Sequence, residues 1–236
     1  MITTLLFDLD GTLLGLDHDS FLEDYFTLLT GEFSDLIAPQ VMKDHILAAT
    51  GAMVTSSDGS STNREIFWKD FLSRVSLQPE VLEPRFMAFY REVFPRLKTH
   101  GTRLKLAEKT VAVAEKRGLE MVIATNPVFP RQAILERMEW AGIGDYSYSL
   151  ITSYERMHYC KPQPAYYREI LSYIHRDPEE CMIVGNDMEE DMVATTLGIK
   201  AFLVEEYLIE RGEADYAPDY RGSLQDFYNL LKGDGI

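Results

Sequence analysis

The chain has 236 residues, of which 46% are hydrophobic, enough for one large domain or a core carrying an insert with a substantial apolar interior. Its 38 acidic and 23 basic side chains leave a formal charge of −15, which opposes binding to nucleic-acid phosphates or anionic lipid surfaces. No apolar run reaches the length of a membrane span, no basic leader opens the sequence, and two cysteines, Cys160 and Cys181, are too few for a disulfide framework and lack metal-ligand spacing. These features predict a reduced cytoplasmic protein.

Short, apolar, β-branched runs recur at Ile2–Phe7, Glu120–Ala124, Tyr148–Thr152, Cys181–Val184 and Lys200–Val204, each followed by a polar turn. Helical patterns fall between them at Leu104–Arg117, Arg131–Trp140 and Ala165–Ile174. Strands alternating with single helices predict an α/β fold, a Rossmann-like parallel sheet. Between Gly15 and Leu97 the alternation stops. Three aromatic stripes take its place: Phe21, Tyr25, Phe26 and Leu29; Ile66, Phe67, Phe71 and Val75; Leu82, Phe86, Phe89, Tyr90 and Val93. At helical spacing these read as the core of an inserted α-helical domain, with a fourth helix over Val41–Ala49, a mobile loop over Gly51–Asn63, and Pro95 as the hinge back. The expected division is residues 1–14 and 98–236 for the core and 15–97 for the insert.

Four polar motifs end predicted strands. In the first, Asp8 and Asp10 flank Leu9 ahead of Gly11, whose freedom permits a turn that lets the two carboxylates diverge. The second is Thr125-Asn126-Pro127, where a hydroxyl and free N–H groups at a strand-to-helix turn can receive a phosphate oxygen, although both residues also cap helices. In the third, Lys161 stands ahead of a helix opened by Pro162 or Pro164; a lysine beside the positive end of a helix calls for an anion. The fourth runs Gly185-Asn186-Asp187-Met188-Glu189-Glu190-Asp191, with Asp187 in the turn and Asp191 one helical turn on. Hard oxygen ligands there suit Mg²⁺, which needs only one or two carboxylates beside water and substrate.

In this order and strand context, DLDGTLL, the Thr125 turn, Lys161-Pro162 and GNDMEED together resemble the haloacid dehalogenase superfamily, in its phosphatase branch, over essentially the whole chain. The resemblance implies a helical cap between the first and second motifs and the following roles. Asp8 is the nucleophile that forms an aspartyl-phosphate, and Asp10 is the acid and base. Thr125, Asn126 and Lys161 bind the phosphoryl oxygens. Asp8, the Asp10 carbonyl and Asp187 hold Mg²⁺, with Asp191 and Asn186 supporting them from behind. The carbon-halogen hydrolases of the family generally lack an acid at the position of Asp10, so a phosphatase acting on a small phosphorylated metabolite is expected, as monomer or homodimer. A sugar phosphomutase shares all four motifs, and a regulatory protein that binds metal or phosphate without catalysis would retain the fold. The histidines are scattered without metal spacing; only His18, with Asp17 and Asp19, follows the first motif closely enough to meet a substrate.

Overall fold

The structure, a computed structural model, describes residues 1–212 and 216–233. In chain order the strands are β1 (Thr4–Phe7), β2 (Leu14–Leu16), β3 (Gly101–Arg103), β4 (Glu120–Ile123), β5 (Leu150–Ile151), β6 (Cys181–Gly185), β7 (Lys200–Val204) and β8 (Tyr220–Gly222). The α-helices are α1 (His18–Gly31), α2 (Pro39–Thr55), α3 (Asn63–Arg74), α4 (Pro79–Ala88), α5 (Lys105–Lys116), α6 (Arg131–Ala141), α7 (Pro164–Ile174) and α8 (Leu224–Lys232).

Six strands form one sheet in the order β5-β4-β1-β6-β7-β8, every neighbouring pair parallel. Alternate residues of each strand feed opposite faces, as the two-residue period of an extended chain requires. Leu5, Phe7, Met121, Ile123, Met182 and Val184 join one apolar cluster, which also takes in α5, α6 and α8; Leu6, Val122, Cys181 and Ile183 join the other, beneath α7. Both faces being covered, these strands read as continuous apolar runs. The chain builds outward from β1 through β4 and β5, then crosses back to lay β6, β7 and β8 on the other side. The reversal falls between β1 and β6, and ligands of open parallel sheets bind outside the carboxyl ends at such a point.

The region between β2 and β3 is helical, and β2 and β3 pair antiparallel, Leu14 opposite Arg103 and Leu16 opposite Gly101. Its aromatic stripes are core: Phe21, Tyr25, Phe67, Phe71, Phe86 and Phe89 are all buried. The α/β fold with a helical insert is therefore as the periodicity predicts. Two local expectations differ, and three short strands go unpredicted. The segment from Gly51 is not all loop, because α2 continues to Thr55 and α3 begins at Asn63. Pro95 lies within a 3₁₀ helix, Phe94–His100, so the chain returns to the core one segment later, through β3. The short strands β2, β3 and β8 have three residues each, too few to show a period.

Candidate active site

Asp8 follows the last residue of β1, and its backbone N–H still donates to Val184 O of β6 at 2.9 Å, so its side chain is fixed at the carboxyl edge of the sheet. The chain then doubles back on itself: the N–H groups of Leu13 and Leu14 both donate to Leu9 O at 2.9 Å. Gly11 makes this loop possible in two ways. Its φ of +87° lies where side-chain-bearing residues are strained, and a Cβ there would stand 2.3 Å from Asn186 Nδ2.

Lys161 reaches the same point from the loop ahead of α7. Its Nζ lies 2.8 Å from Asp8 Oδ1 and 2.6 Å from Asp191 Oδ1, and all three side chains are almost wholly buried. Burial works against the ammonium, but Asp191 and Asp8 outweigh it and hold the Lys161 pKa well above its ordinary value. One ammonium cannot compensate two buried carboxylates fully. Burial accordingly pushes Asp8 upward against the pull of Lys161, and pushes Asp191 up to about 6. Asp191 is itself tied down, Oδ2 accepting the Asp187 N–H at 3.0 Å, and it packs so close to β6 that a Cβ on Gly185 would meet Oδ2 at 2.2 Å.

Thr125 follows β4 in the turn that opens with the Ala124 N–H donating at 2.7 Å to the carbonyl oxygen of Phe7, the neighbour of Asp8 in sequence. Its carbonyl accepts from Thr152 Oγ1 and Tyr166 Oη, each at 2.8 Å, which anchors the turn from behind; among the described residues no protein group hydrogen-bonds its hydroxyl. Asn126 bridges two motifs, Oδ1 accepting the Lys161 N–H at 3.3 Å and Nδ2 donating to Glu190 Oε2 at 3.1 Å. The first three motifs and Asp191 thus meet at one rim.

The fourth motif is arranged differently from expectation. Asn186, not Asp187, faces the first motif: Thr12 Oγ1 lies 2.9 Å from Asn186 Oδ1 and 3.3 Å from Asp8 Oδ2. The Asp187 carboxylate is occupied elsewhere. Oδ1 accepts the N–H groups of Glu189 and Glu190 at 3.0 and 2.9 Å, and Arg211 forks across it, with Nη1 to Oδ1 and Nη2 to Oδ2 both at 2.9 Å. His18 is exposed at the start of α1, where Asp17 serves as the helix cap by accepting the Ser20 N–H at 3.2 Å.

Asp10 pairs with a residue that the motifs do not include. Arg137, from α6, is 1% exposed, donates through Nη1 to Asp10 Oδ2, and lies with its guanidinium carbon 4.7 Å from the centre of the Phe129 ring. A signal for it is present in the sequence: Ala133, Ile134, Met138 and Ala141 mark the buried face of α6, and Arg137 falls within that face. A charged residue there is unusual unless paired. Thr12 lies within the first motif and Tyr166 on the apolar face of the predicted Ala165–Ile174 helix, both without a role assigned from sequence; Arg211 and Tyr167 carry no comparable pattern.

The donor set suits a hard divalent cation. Asp8 is a buried carboxylate whose burial outweighs the pull of Lys161, and Asn186 offers a neutral oxygen that shares Thr12 Oγ1 with it. No three His, Cys, Asp or Glu side chains among the described residues are grouped to hold a metal by themselves, which Mg²⁺ does not require. A cavity of about 400 Å³ opens between the insert and the core, walled by Arg64, Phe86, Tyr90, Pro130 and Tyr154, without touching Asp8.

Comparison with known proteins converges on one group. The sequence model of the haloacid dehalogenase-like hydrolases matches residues 2–194. Pyrophosphatase PpaX of Halalkalibacterium halodurans is 26% identical over 244 residues, an alignment covering 98% of this chain and 97% of that protein. Among solved structures, a HAD phosphatase from Thermococcus onnurineus shares the fold with a TM-score of 0.63 at 18% identity over 100% of both chains. L-2-haloacid dehalogenase from Xanthobacter autotrophicus does so with a TM-score of 0.58 at 16% identity, covering 99% of this chain and 100% of that one. No helix among the described residues is long and apolar enough to cross a membrane.

Proposed function

The chain belongs to the haloacid dehalogenase-like hydrolases, and from that premise we propose that it is a Mg²⁺-dependent phosphatase of small phosphorylated metabolites, working through Asp8. The observation that carries this reading is the buried Asp8–Lys161–Asp191 cluster with Asp10 two residues along. A carboxylate short of compensating charge, with an ammonium beside it, is suited to attack an electrophile that brings its own anionic oxygens for the ammonium to bind.

In the first half-reaction an Asp8 oxygen bonds to phosphorus as the bond to the ester oxygen breaks, and protonated Asp10 gives its proton to the departing oxygen. In the second, Asp10 takes a proton from water as that water attacks phosphorus, which frees inorganic phosphate and restores both carboxyl groups. Lys161 Nζ and the Thr125 hydroxyl bind the oxygens on which charge collects, and Asp191 keeps Lys161 aimed; the Asn126 N–H serves the same phosphoryl group. Mg²⁺, when bound, neutralises charge between nucleophile and phosphate. Asp8, the Asp10 carbonyl and the fourth motif would hold it; Asn186 already faces that side, whereas Asp187 would have to exchange Arg211 for the ion. The helices between β2 and β3 are read as a cap over residues 15–97.

The acid at position 10 favours a phosphatase over a dehalogenase, since a departing halide needs no proton. The pyrophosphatase relative adds diphosphate, an anhydride rather than an ester, to the substrates worth testing. Asp8→Asn should reduce Mg²⁺-dependent turnover of p-nitrophenyl phosphate by at least about three orders of magnitude, in line with removal of a covalent nucleophile. Turnover that persists in the variant would remove Asp8 from the reaction. Turnover of a phosphorylated sugar to its isomer, with no phosphate released, would indicate the mutase instead.

A further inference from the structure

Arg137 and Asp10 form an incomplete ion pair. A guanidinium and a carboxylate can satisfy each other through two parallel hydrogen bonds. Here only one forms, between Nη1 and Oδ2, while Nε is donated along the helix to Ala133 O at 3.2 Å. Nη2 of Arg137 and Oδ1 of Asp10 are left buried with no partner among the described residues. A fold that sought only to neutralise Arg137 has no reason to leave both orphans, since buried polar groups are otherwise almost always paired.

We propose that Arg137 is the positioning residue for Asp10: it pins Oδ2 and so leaves Oδ1 as the oxygen that exchanges a proton with the leaving group. The inference rests on the reading of Asp10 as acid and base given above. Three contacts make Arg137 a rigid post. Its Nε is tied to its own helix, its guanidinium carbon sits over the Phe129 ring, and Nη1 holds Asp10 Oδ2, all with the side chain buried. Asp10 sits in the Gly11 loop, and a flexible loop carboxyl would otherwise sample several rotamers. The proton itself moves from Asp10 Oδ1 to the ester oxygen as the P–O bond breaks, and returns to Asp10 from water in hydrolysis. Arg137 neither gains nor loses one.

The test separates orientation of a proton donor from packing. The aryl ester p-nitrophenyl phosphate has a leaving oxygen that departs with little help, whereas glycerol phosphate has a far more basic one that must be protonated. Arg137→Lys, which keeps the charge, and Phe129→Leu, which keeps every charge and removes the ring beneath the guanidinium, should lower kcat on glycerol phosphate at least about tenfold more than on the aryl ester, with little change in KM. Asp10→Asn should show the same bias more steeply. Thermal melts confirm that each variant is folded, and Phe129→Leu keeps the test open should Arg137→Lys not be. Equal losses on both esters in the Arg137 and Phe129 variants overturn the proposal, as does a wild-type protein that hydrolyses the aryl ester alone. Equal losses in Asp10→Asn instead reject Asp10 as the proton donor, a failure of the underlying reading.

Discussion

Cys160 adjoins Lys161 in sequence, and a neighbouring ammonium is a common route to a reactive thiolate. The side chains do not cooperate in that way. Lys161 Nζ is committed to Asp8 and Asp191, and the Cys160 thiol lies buried, approached by Asn63 Nδ2 at 3.3 Å. Burial pushes the Cys160 thiol from an ordinary 9.0 up to about 12, and burial does the same to Cys181. Neither cysteine should react with a thiol reagent at neutral to mildly alkaline pH until the protein is unfolded, when both should. The sign of the linked stability follows. The folded state holds these protons more tightly than the unfolded chain, so their contribution is complete below pH 9 and is lost as pH rises through about 12. Denaturation midpoints measured across that window should fall; a midpoint that rises would contradict the assignment. Other residues of the site differ in how far the sequence exposes them. Asp8, Lys161 and Asp191 are legible because a motif at a strand end has few places to go. The Asn186–Asp187 choice is not, because which side chain turns inward depends on a loop distant in sequence: Asn186 O accepts the Ile209 N–H at 2.9 Å, and Tyr207 O accepts from Asn186 Nδ2 at 2.6 Å.

At the scale of elements, two helices of the insert finish their hydrogen bonding on the core. The first N–H groups of a helix and its last carbonyls have no partners within it. At the start of α3, Thr62 and Glu65 form a capping box, while the N–H groups of Asn63 and Arg64 donate to Met157 O and Tyr154 O at 2.8 and 2.7 Å. At the end of α2, Gln163 Nε2 donates to Val54 O at 2.8 Å and Ser56 O at 3.0 Å. The Asn63 amide is fully buried between Pro127 O and Tyr159 O. This clasp holds the insert against the loops that carry Asn126 and Lys161. Gln163→Ala should therefore cost about 1 kcal/mol, and Asn63→Ala, which strips partners from buried carbonyls, about 1–3 kcal/mol. Chemical denaturation reads the energies, and amide exchange should quicken at Asn63 and Arg64. Exchange accelerated uniformly through the chain would show global loss of stability without a local clasp. The Ser, Thr, Gly and Asn of this segment read as a mobile loop, since they are turn formers when nothing distant engages them. The partners lie about a hundred residues away, where no local pattern can register them.

Across the whole molecule, apolar runs mark β1, β4, β5, β6 and β7 because both faces of the sheet are covered there, whereas the edge strand β8, three residues long and partly exposed, carries no such run, and α8 is not among the predicted helices. What periodicity does not contain is how the helical insert meets the core. One apolar cluster runs through both: Phe21, Tyr25, Phe67 and Phe86 of the insert share it with Phe7, Ile123, Ile134 and Phe227. The seam is aromatic. Phe94 stacks on Trp140 of α6 with centroids 5.5 Å apart and planes inclined by 15°, and Tyr25 meets Phe129 edge to face at 5.4 Å. Edge-to-face and offset aromatic pairs contribute about 0.5–1.5 kcal/mol each beyond the area they bury. Adding the clasp and the β2–β3 pairing, separation of insert from core exposes apolar surface that neither part can cover alone. Heating should consequently unfold the chain in one transition, with calorimetric and van't Hoff enthalpies equal and with tryptophan fluorescence and far-ultraviolet circular dichroism superimposing. Both tryptophans help to report this, since Trp68 lies in α3 and Trp140 lies in α6 at the seam. Two resolved transitions, the first changing Trp68 emission while the sheet signal persists, would mean that the shared cluster does not couple the two parts. Trp140→Leu, by unstacking Phe94, should lower the single midpoint and keep the transition single, because the rest of the seam remains.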